Sequence, residues 1–236
     1  MKLLDIPFDD ARRRYLVFHP VNIPDRLRLA STSTTQAFEA AGSSRFYTSN
    51  DQRILAKVVP DKFFKRRAPL KWLLRDYLEK RWLLQTDARK EYLSLQILRR
   101  AGLQTPDCYG WGLSLNPGNR NGSLLLIEHI KQVRPGSDAF KDMNESNRHR
   151  FLDKLCQQLM QLAKAGYAHR DLHYNNLLIS TNSEIIWIDT HVRPLPQNSA
   201  AQWASLVSSL IARKLEGEPY RKYIEKQLSE LWGKHK

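Results

Sequence analysis

The stretch of sequence that most constrains the fold is a polar loop between two apolar stretches, at residues 168–180. It reads AHRDLHYNNLLIS, and a helical pattern of apolar residues that ends near Tyr167 precedes it. After it, a turn at residues 181–183 returns the chain through the apolar run of EIIWID to Asp189. This order predicts a loop rich in polar side chains, followed by a β-hairpin that brings Asp189 back towards that loop.

The polar residues of this loop have the spacing of a catalytic loop. Asp171 follows His169-Arg170, and Asn176 lies five positions after the aspartate, as in the pattern H-R-D-x-x-x-x-N of kinase-like folds. A carboxylate at Asp171 can orient an attacking hydroxyl and accept its proton, while oxygens of Asn176 and Asp189 can hold Mg2+ on nucleotide phosphates. Each residue alone could belong to an ordinary capped turn, but their combination predicts phosphoryl transfer from ATP.

A lysine in the first half of the chain supports the same interpretation independently. Lys57 lies in the apolar run ILAKVV, where a buried cation would need an anionic partner. Kinases pair a strand lysine that holds the phosphates with a glutamate on a helix, and Glu91 in DARKEYLSLQILRRAGL is the candidate. The alternatives are an edge-strand lysine that faces water and a solvated glutamate, because Asp87 is also nearby.

The loop that covers the phosphates matches the kinase pattern poorly. The chain has no G-x-G-x-x-G, and the only candidate is the run AGSS at residues 41–44. Backbone amides and hydroxyls of Gly42, Ser43 and Ser44 could reach phosphate oxygens, although Gly42 in a plain β-turn is the alternative. The apolar strand LLLIEH has the position of the strand that leads into an interlobe hinge. On position alone, backbone groups from Glu128 to Ile130 are therefore expected to bind adenine.

Strand and helix patterns divide the chain near residue 130. Alternating and β-branched residues between turn residues predict a β-meander over residues 26–59, and a helical pattern follows over 62–100. Helical patterns dominate the second half and include residues 199–233. We therefore predict one α+β, two-lobed protein-kinase-like domain, with a β-rich N-lobe at residues 1–130 and a short, mainly helical C-lobe at residues 131–236. A ligand cleft between two such lobes is a common arrangement.

Composition excludes several classes of protein. Cys108 and Cys156 are the only cysteines and lie in no CxxC or Cys/His cluster, which predicts neither a disulfide framework nor a zinc site. The start MKLLDIPFDDARRR lacks an apolar signal segment, and no run approaches the roughly 20 apolar residues that cross a bilayer. A cytoplasmic location is therefore expected.

A net charge of +14 predicts an anionic partner: nucleic acid, an acidic membrane surface or a phosphorylated substrate. Within an insert at residues 61–86, eight lysines and arginines between Lys62 and Arg81 alternate with aromatic and leucine side chains. Such a basic amphipathic helix, over residues 62–83, is typical of binding to an anionic membrane surface. The alternative is a lobe-packing helix with a solvated basic face. No nucleic-acid motif accompanies the charge, so no nucleic acid is expected.

Together these residues resemble the bacterial lipopolysaccharide core kinases, which phosphorylate heptose or Kdo sugars of the inner core. The resemblance covers about residues 35–195, through AKVV, the basic insert, EYLSLQILRRAGLQTPDCYGWG, LLIEHI, HRDLHYNNLLI and IIWIDTH. It implies Asp171 as the base, Asn176 and Asp189 as magnesium ligands, and Lys57 with Glu91 at the phosphates. Thr190-His191 follows Asp189 where protein kinases have Phe-Gly, so a regulated flip of that segment is not expected.

The short second lobe indicates the kind of acceptor. Only 47 residues follow Asp189, without an A-P-E segment, which leaves little room for an activation loop and the helices that hold a peptide. We expect an ATP- and Mg2+-dependent phosphotransferase with an alcohol acceptor, a heptose or Kdo hydroxyl of a lipopolysaccharide core glycolipid. It would act peripherally on the inner face of the inner membrane. An atypical protein kinase, a small-molecule kinase of the aminoglycoside or choline type, and a non-catalytic pseudokinase or membrane-binding module remain alternatives.

Overall fold

The structure of the chain is a computed structural model that describes residues 1–9, 11–33, 35, 44–61, 63, 67–116 and 122–234, with only the backbone at 75–77 and 81. The chain forms two compact units. The first comprises Met1–Leu93 and Pro106–Ile130, and the second comprises Ser94–Thr105 and Lys131–Lys236. Strands dominate the first unit and helices the second, which confirms the predicted α+β class. Residues 94–105, which the sequence pattern grouped with the N-lobe, cluster with the second unit.

Among the described residues, the first unit contains a seven-stranded sheet in the order β1-β2-β6-β7-β5-β4-β3, with every pair antiparallel. Its strands are β1 Lys2–Pro7, β2 Arg12–Phe18, β3 Leu29–Ala30, β4 Arg45–Ser49, β5 Ile54–Val59, β6 Cys108–Ser114 and β7 Ser123–Glu128. The β1-β2 hairpin was missed from the sequence, although Leu4 and Ile6 are buried between exposed neighbours, as period-two alternation predicts. Two of these strands, β5 and β7, lie in the middle of the sheet and carry nearly continuous apolar runs.

The described part of the basic insert is helical over Pro69–Trp82, but most of that helix is not an α-helix. A short α-helical turn, α1 Pro69–Lys71, continues into a π-helix at Trp72–Trp82, whose end is marked by the Leu83 amide donating to the Leu78 carbonyl. In a π-helix each amide bonds five residues back, so the side chains that share a face differ from those of an α-helix. The tryptophan at position 72 is buried, whereas several neighbouring leucines are exposed.

The helix that carries Glu91 is α2, Asp87–Arg100. The buried Thr86 caps its start, because its Oγ1 accepts a hydrogen bond from the Arg89 amide at 3.0 Å. At its end Gly102 has φ 79°, a left-handed conformation that glycine adopts without strain, and the Leu103 amide donates to the Leu98 carbonyl. The two caps thus define where α2 begins and ends.

The second unit surrounds a large apolar core. Its helices are α3 Gly136–Asp142, α4 Glu145–Lys164, α5 Ser199–Val207 and α6 Glu218–Gly233, with 3-10 turns at Tyr174–Asn176 and Ala212–Lys214. Its strands are β8 Val133–Pro135, β9 Tyr167–His169, β10 Leu177–Ser180, β11 Ile185–Trp187 and β12 Val192–Pro194. The core includes Leu152, Leu155 and Leu159 of α4, at helical spacing, together with Ile224 and Leu228 of α6. This core supports the polar loop that follows β9.

Candidate active site

Backbone hydrogen bonds tie the polar loop to the segment after β11 at both ends. At one end β10 pairs with β11, and the Ile188 amide donates to the Asn176 carbonyl at 2.9 Å. At the other end β9 pairs with β12, and the Arg170 amide donates to the His191 carbonyl at 2.7 Å. Residues 170–176 and 188–191 therefore form one closed frame, which we call the polar frame. The predicted hairpin is confirmed.

His169 fixes the backbone at Asp171. The imidazole is 1% exposed, and its Nδ1 accepts a hydrogen bond from the Asp171 amide at 3.2 Å. Burial lowers the pKa of His169 to about 4, against a smaller opposing effect of the Asp171 charge. The ring is therefore neutral near pH 7 and carries its proton on Nε2. It packs 5.3 Å from the Trp187 ring, whose Nε1 donates to Gln158 at 2.7 Å.

Asn176 has its amide group oriented by the same loop. Its Nδ2 donates to the Asp171 carbonyl at 3.2 Å, which identifies Oδ1 as the atom that could bind a cation. The turn before it is shaped by His173, whose Nδ1 accepts from the Asn175 amide at 3.1 Å and whose carbonyl accepts from the Asn176 amide. The side-chain oxygen of Asn176 is thus positioned by local hydrogen bonds.

Asp189 lies directly after Ile188 on the polar frame and is exposed. Its φ is 45°, in the left-handed region that aspartate tolerates better than most residues. Among the residues that the structure describes, no three His, Cys, Asp or Glu side chains cluster as a metal cage. Mg2+ commonly binds through one or two protein oxygens plus substrate phosphates, and the amide and carboxylate oxygens of Asn176 and Asp189 fit that requirement.

The loop rests on the start of α3, which sequence reasoning missed. A Cβ at Gly136 would lie 2.5 Å from the Tyr174 carbonyl oxygen, so only glycine allows this approach without a shift. The next residue, Ser137, donates a hydrogen bond to Asn175 Oδ1. Tyr174 is fully buried, burial raises its pKa, and its ring packs 4.6 Å from that of Phe140. The Pro-Gly-Ser run was the only sequence signal for this contact.

Lys214 was also missed. It ends the 3-10 turn Ala212–Lys214, and its Nζ forms an ion pair with Asp171 Oδ1 although 43 positions separate the two residues. The pKa of the nearby His173 is lowered, first by burial and then by the Lys214 charge. A basic residue this far along the chain carries no motif that links it to the loop.

In the first unit, the predicted partners Lys57 and Glu91 are in contact. The Lys57 Nζ lies 2.8 Å from Glu91 Oε2, and the two residues are 6% and 4% exposed. Lys57 does not face water from an edge strand, because β5 pairs with β4 and β7 on its two sides. The capped start of α2 fixes the turn that carries Glu91. This pair is therefore a buried ion pair within the first unit.

The remaining candidate residues belong to the two segments that the sequence analysis assigned to nucleotide binding. Gly42 and Ser43 fall outside the described residues, and Ser44 is half-buried just before β4. Glu128 ends β7, and Ile130 follows it.

The end of β7 is anchored by hydrogen bonds. The Glu128 amide donates to the Asp107 carbonyl at 2.8 Å, and Glu128 Oε2 accepts from the Asp107 amide at 3.2 Å. The His129 amide donates to the Arg53 carbonyl at 2.8 Å. Of the amides at residues 128–130, those of Glu128 and His129 are thus engaged within the first unit.

The model of the lipopolysaccharide kinase (Kdo/WaaP) family matches residues 35–205, more than half of the chain. No curated protein sequence matches the chain.

Among solved structures, the bifunctional kinase-methyltransferase WbdD matches with a TM-score of 0.50 and 18% identity, over 81% of this chain and 42% of that chain. WaaP in complex with acyl carrier protein matches with a TM-score of 0.48 and 17% identity, over 84% of this chain and 85% of that chain. This chain spans less than half of the WbdD chain, and that likeness concerns the fold alone. From the family match over residues 35–205, the chain belongs to the lipopolysaccharide kinase (Kdo/WaaP) family, a family of phosphotransferases.

Proposed function

We propose that this protein is an ATP-dependent kinase that phosphorylates a sugar hydroxyl, of heptose or Kdo, in the lipopolysaccharide inner core. The observation that carries the proposal is the polar frame, in which two backbone hydrogen bonds join the loop of Asp171 and Asn176 to the segment of Asp189. Family membership supports the lipopolysaccharide acceptor. Catalysis would come mainly from positioning and electrostatic stabilisation, as in other phosphoryl transfers.

Asp171 would orient the acceptor hydroxyl and take its proton. The neutral His169 supports this role, because its hydrogen bond to the Asp171 amide fixes the backbone that carries the carboxylate. Asn176 and Asp189 would hold Mg2+, which when bound would offset the negative charge of the phosphates. The buried Lys57, kept in place by Glu91, would contact the phosphates.

ATP would also contact two backbone segments of the first unit. Gly42, Ser43 and Ser44 would offer amides and hydroxyls to the phosphates, as proposed from their sequence position. Near the adenine ring, backbone groups from Glu128 to Ile130 would take part. Since the Glu128 amide donates to Asp107, the Ile130 amide is the better candidate for donating to the base.

The decisive experiment supplies ATP labelled on its γ-phosphate, Mg2+ and dephosphorylated core lipopolysaccharide. We expect label in the glycolipid, and a loss of about 100-fold or more in rate for Asp171→Asn, because a general base contributes at least that much. Asp25→Asn, which removes an exposed carboxylate paired with Lys2, should match the wild type. Label that enters protein and not glycolipid would refute the proposal.

The basic insert supports docking on an anionic membrane surface, where the acceptor is carried. Exposed apolar side chains cluster in this segment, namely Leu70, Leu73, Leu74, Trp82 and Leu83. Basic residues of the same segment, including Arg67 and Lys71, would be attracted to anionic lipid, each by about 1 kcal/mol. Within the described ranges, no helix combines the length and apolarity needed to cross a membrane.

Vesicle sedimentation tests this docking. Burying a leucine or tryptophan side chain contributes about 1.5–3 kcal/mol, so Leu74→Ser combined with Trp82→Ser should weaken binding to phosphatidylglycerol vesicles at least about tenfold. Leu3→Ser, at an exposed leucine of β1, is the matched control. Equal binding of both variants would contradict docking through the insert.

A further inference from the structure

Lys214 places a cation directly on the proposed catalytic base. Its Nζ forms an ion pair with Oδ1 of Asp171, and the two side chains are 21% and 51% exposed. The H-R-D pattern does not include this lysine, and the roles proposed above do not use it. It comes from the segment between α5 and α6, a different part of the second unit.

The position of Lys214 is set by the core of the second unit. The next residue, Leu215, is fully buried in that core. The Gly217 amide donates to the Ala212 carbonyl at 2.9 Å and closes the turn, and Gly217 has φ 127°, which favours glycine. Helix α6 begins directly after it and packs in the same core through Ile224. Lys214 is therefore held by a buried anchor on one side and a closed turn on the other.

The charges around the pair also favour a function for Lys214. His173 lies near the pair, together with the charged Arg213 and Glu216. Lys214, by contrast, donates directly to the carboxylate oxygen. A cation in that position orients the carboxylate and adds positive charge beside the reacting atoms.

We propose that Lys214 is a positioning residue for phosphoryl transfer. This inference rests on the proposed function. Lys214 would hold Oδ1 of Asp171 so that Oδ2 accepts the proton of the acceptor hydroxyl. The acceptor oxygen then bonds to the γ-phosphorus, the bond from that phosphorus to the β-γ bridging oxygen breaks, and ADP leaves. Because the acceptor must lie about 3 Å from the carboxylate, the ammonium group lies near the path of the phosphoryl group.

The test compares Lys214→Met and Lys214→Arg with Lys222→Met, which removes the same charge from an exposed position on α6. Measurements are kcat, KM for ATP and Tm. We expect Lys214→Met to lower kcat about 10- to 100-fold with KM changed less than about threefold, as for an interaction made mainly in the transition state. Lys214→Arg should recover most of the rate, and Tm should match that of Lys222→Met.

A double-mutant cycle separates positioning from an unrelated structural role. In the Asp171→Asn background, adding Lys214→Met should lower kcat by less than about a further threefold, because Lys214 acts through the carboxylate that is already gone. The inference would be overturned if the losses in kcat of Asp171→Asn and Lys214→Met multiplied in the double variant. It would also be overturned if Lys214→Met had the same kcat as Lys222→Met. A lowered Tm without rescue by arginine would also overturn it. An inactive wild type would refute the proposed function as well, whereas an active wild type with unaffected Lys214→Met refutes this inference alone.

Discussion

Breaking the buried Lys57–Glu91 pair should cost far more stability than breaking an exposed pair of similar length. At the observed 2.8 Å, two unit charges attract by about 6 kcal/mol at an effective dielectric constant of about 20. Desolvation offsets much of that attraction, but removal of one partner leaves the other group buried without this attraction. Glu91→Gln and Lys57→Met should each lower the free energy of unfolding by about 3–5 kcal/mol.

The control and the double variant make this prediction specific. The exposed Lys2–Asp25 pair has the same kind of contact, at 2.9 Å, so Lys2→Met should cost at most about 1 kcal/mol. Replacing both partners, Lys57→Met with Glu91→Leu, should recover most of the stability because neither charge of the pair remains. If the pair serves ATP as proposed, this stable double variant should nevertheless lose phosphoryl transfer.

Urea unfolding, followed by tryptophan fluorescence, measures these free energies, and the labelled-ATP assay measures transfer. A loss below about 1 kcal/mol for Glu91→Gln would refute the reasoning on the buried charge, since a typical domain has only about 5–15 kcal/mol in total. A double variant that is stable and fully active would refute the assignment of the pair to the phosphates.

Two further predictions concern the polar frame. The Cβ of Gly136→Ala would lie 2.5 Å from the Tyr174 carbonyl oxygen, so this variant should lower the free energy of unfolding by about 1–3 kcal/mol in urea unfolding. Gly233→Ala, whose Cβ would have no atom within 4 Å, should leave it unchanged. Equal stabilities of the two variants would contradict the close approach. Because burial lowers the pKa of His169 to about 4, the unfolded chain binds more protons between pH 7 and 5. The free energy of unfolding should therefore fall by about 2 kcal/mol over that range. His169→Gln should remove this fall and His19→Gln, at an exposed site, should keep it. An unchanged pH dependence in His169→Gln would count against burial as its cause.

The loop and the hairpin of the candidate site could be predicted from sequence because their contacts join residues that are close along the chain. The loop after β9 and the hairpin of β10 and β11 involve partners about ten residues apart, such as Leu177 and Trp187. Their apolar runs and turn residues are sufficient to predict the pairing that brings Asp189 to the loop. Lys57 and Glu91 could be matched across 34 positions for a chemical reason, since a lysine in a buried strand requires an anion.

The rest of the site depended on which distant surfaces pack together. The sequence by itself determined the order of Asp171, Asn176 and Asp189 and the need for a partner at Lys57, because short-range hydrogen bonding and burial leave recognisable patterns. Only the tertiary structure decided that Lys214 contacts Asp171, since the buried Leu215 and the turn beside it set that position. A lysine on a surface-like segment has the same local pattern whether it faces water or a carboxylate, and the packing of the core selects between these outcomes.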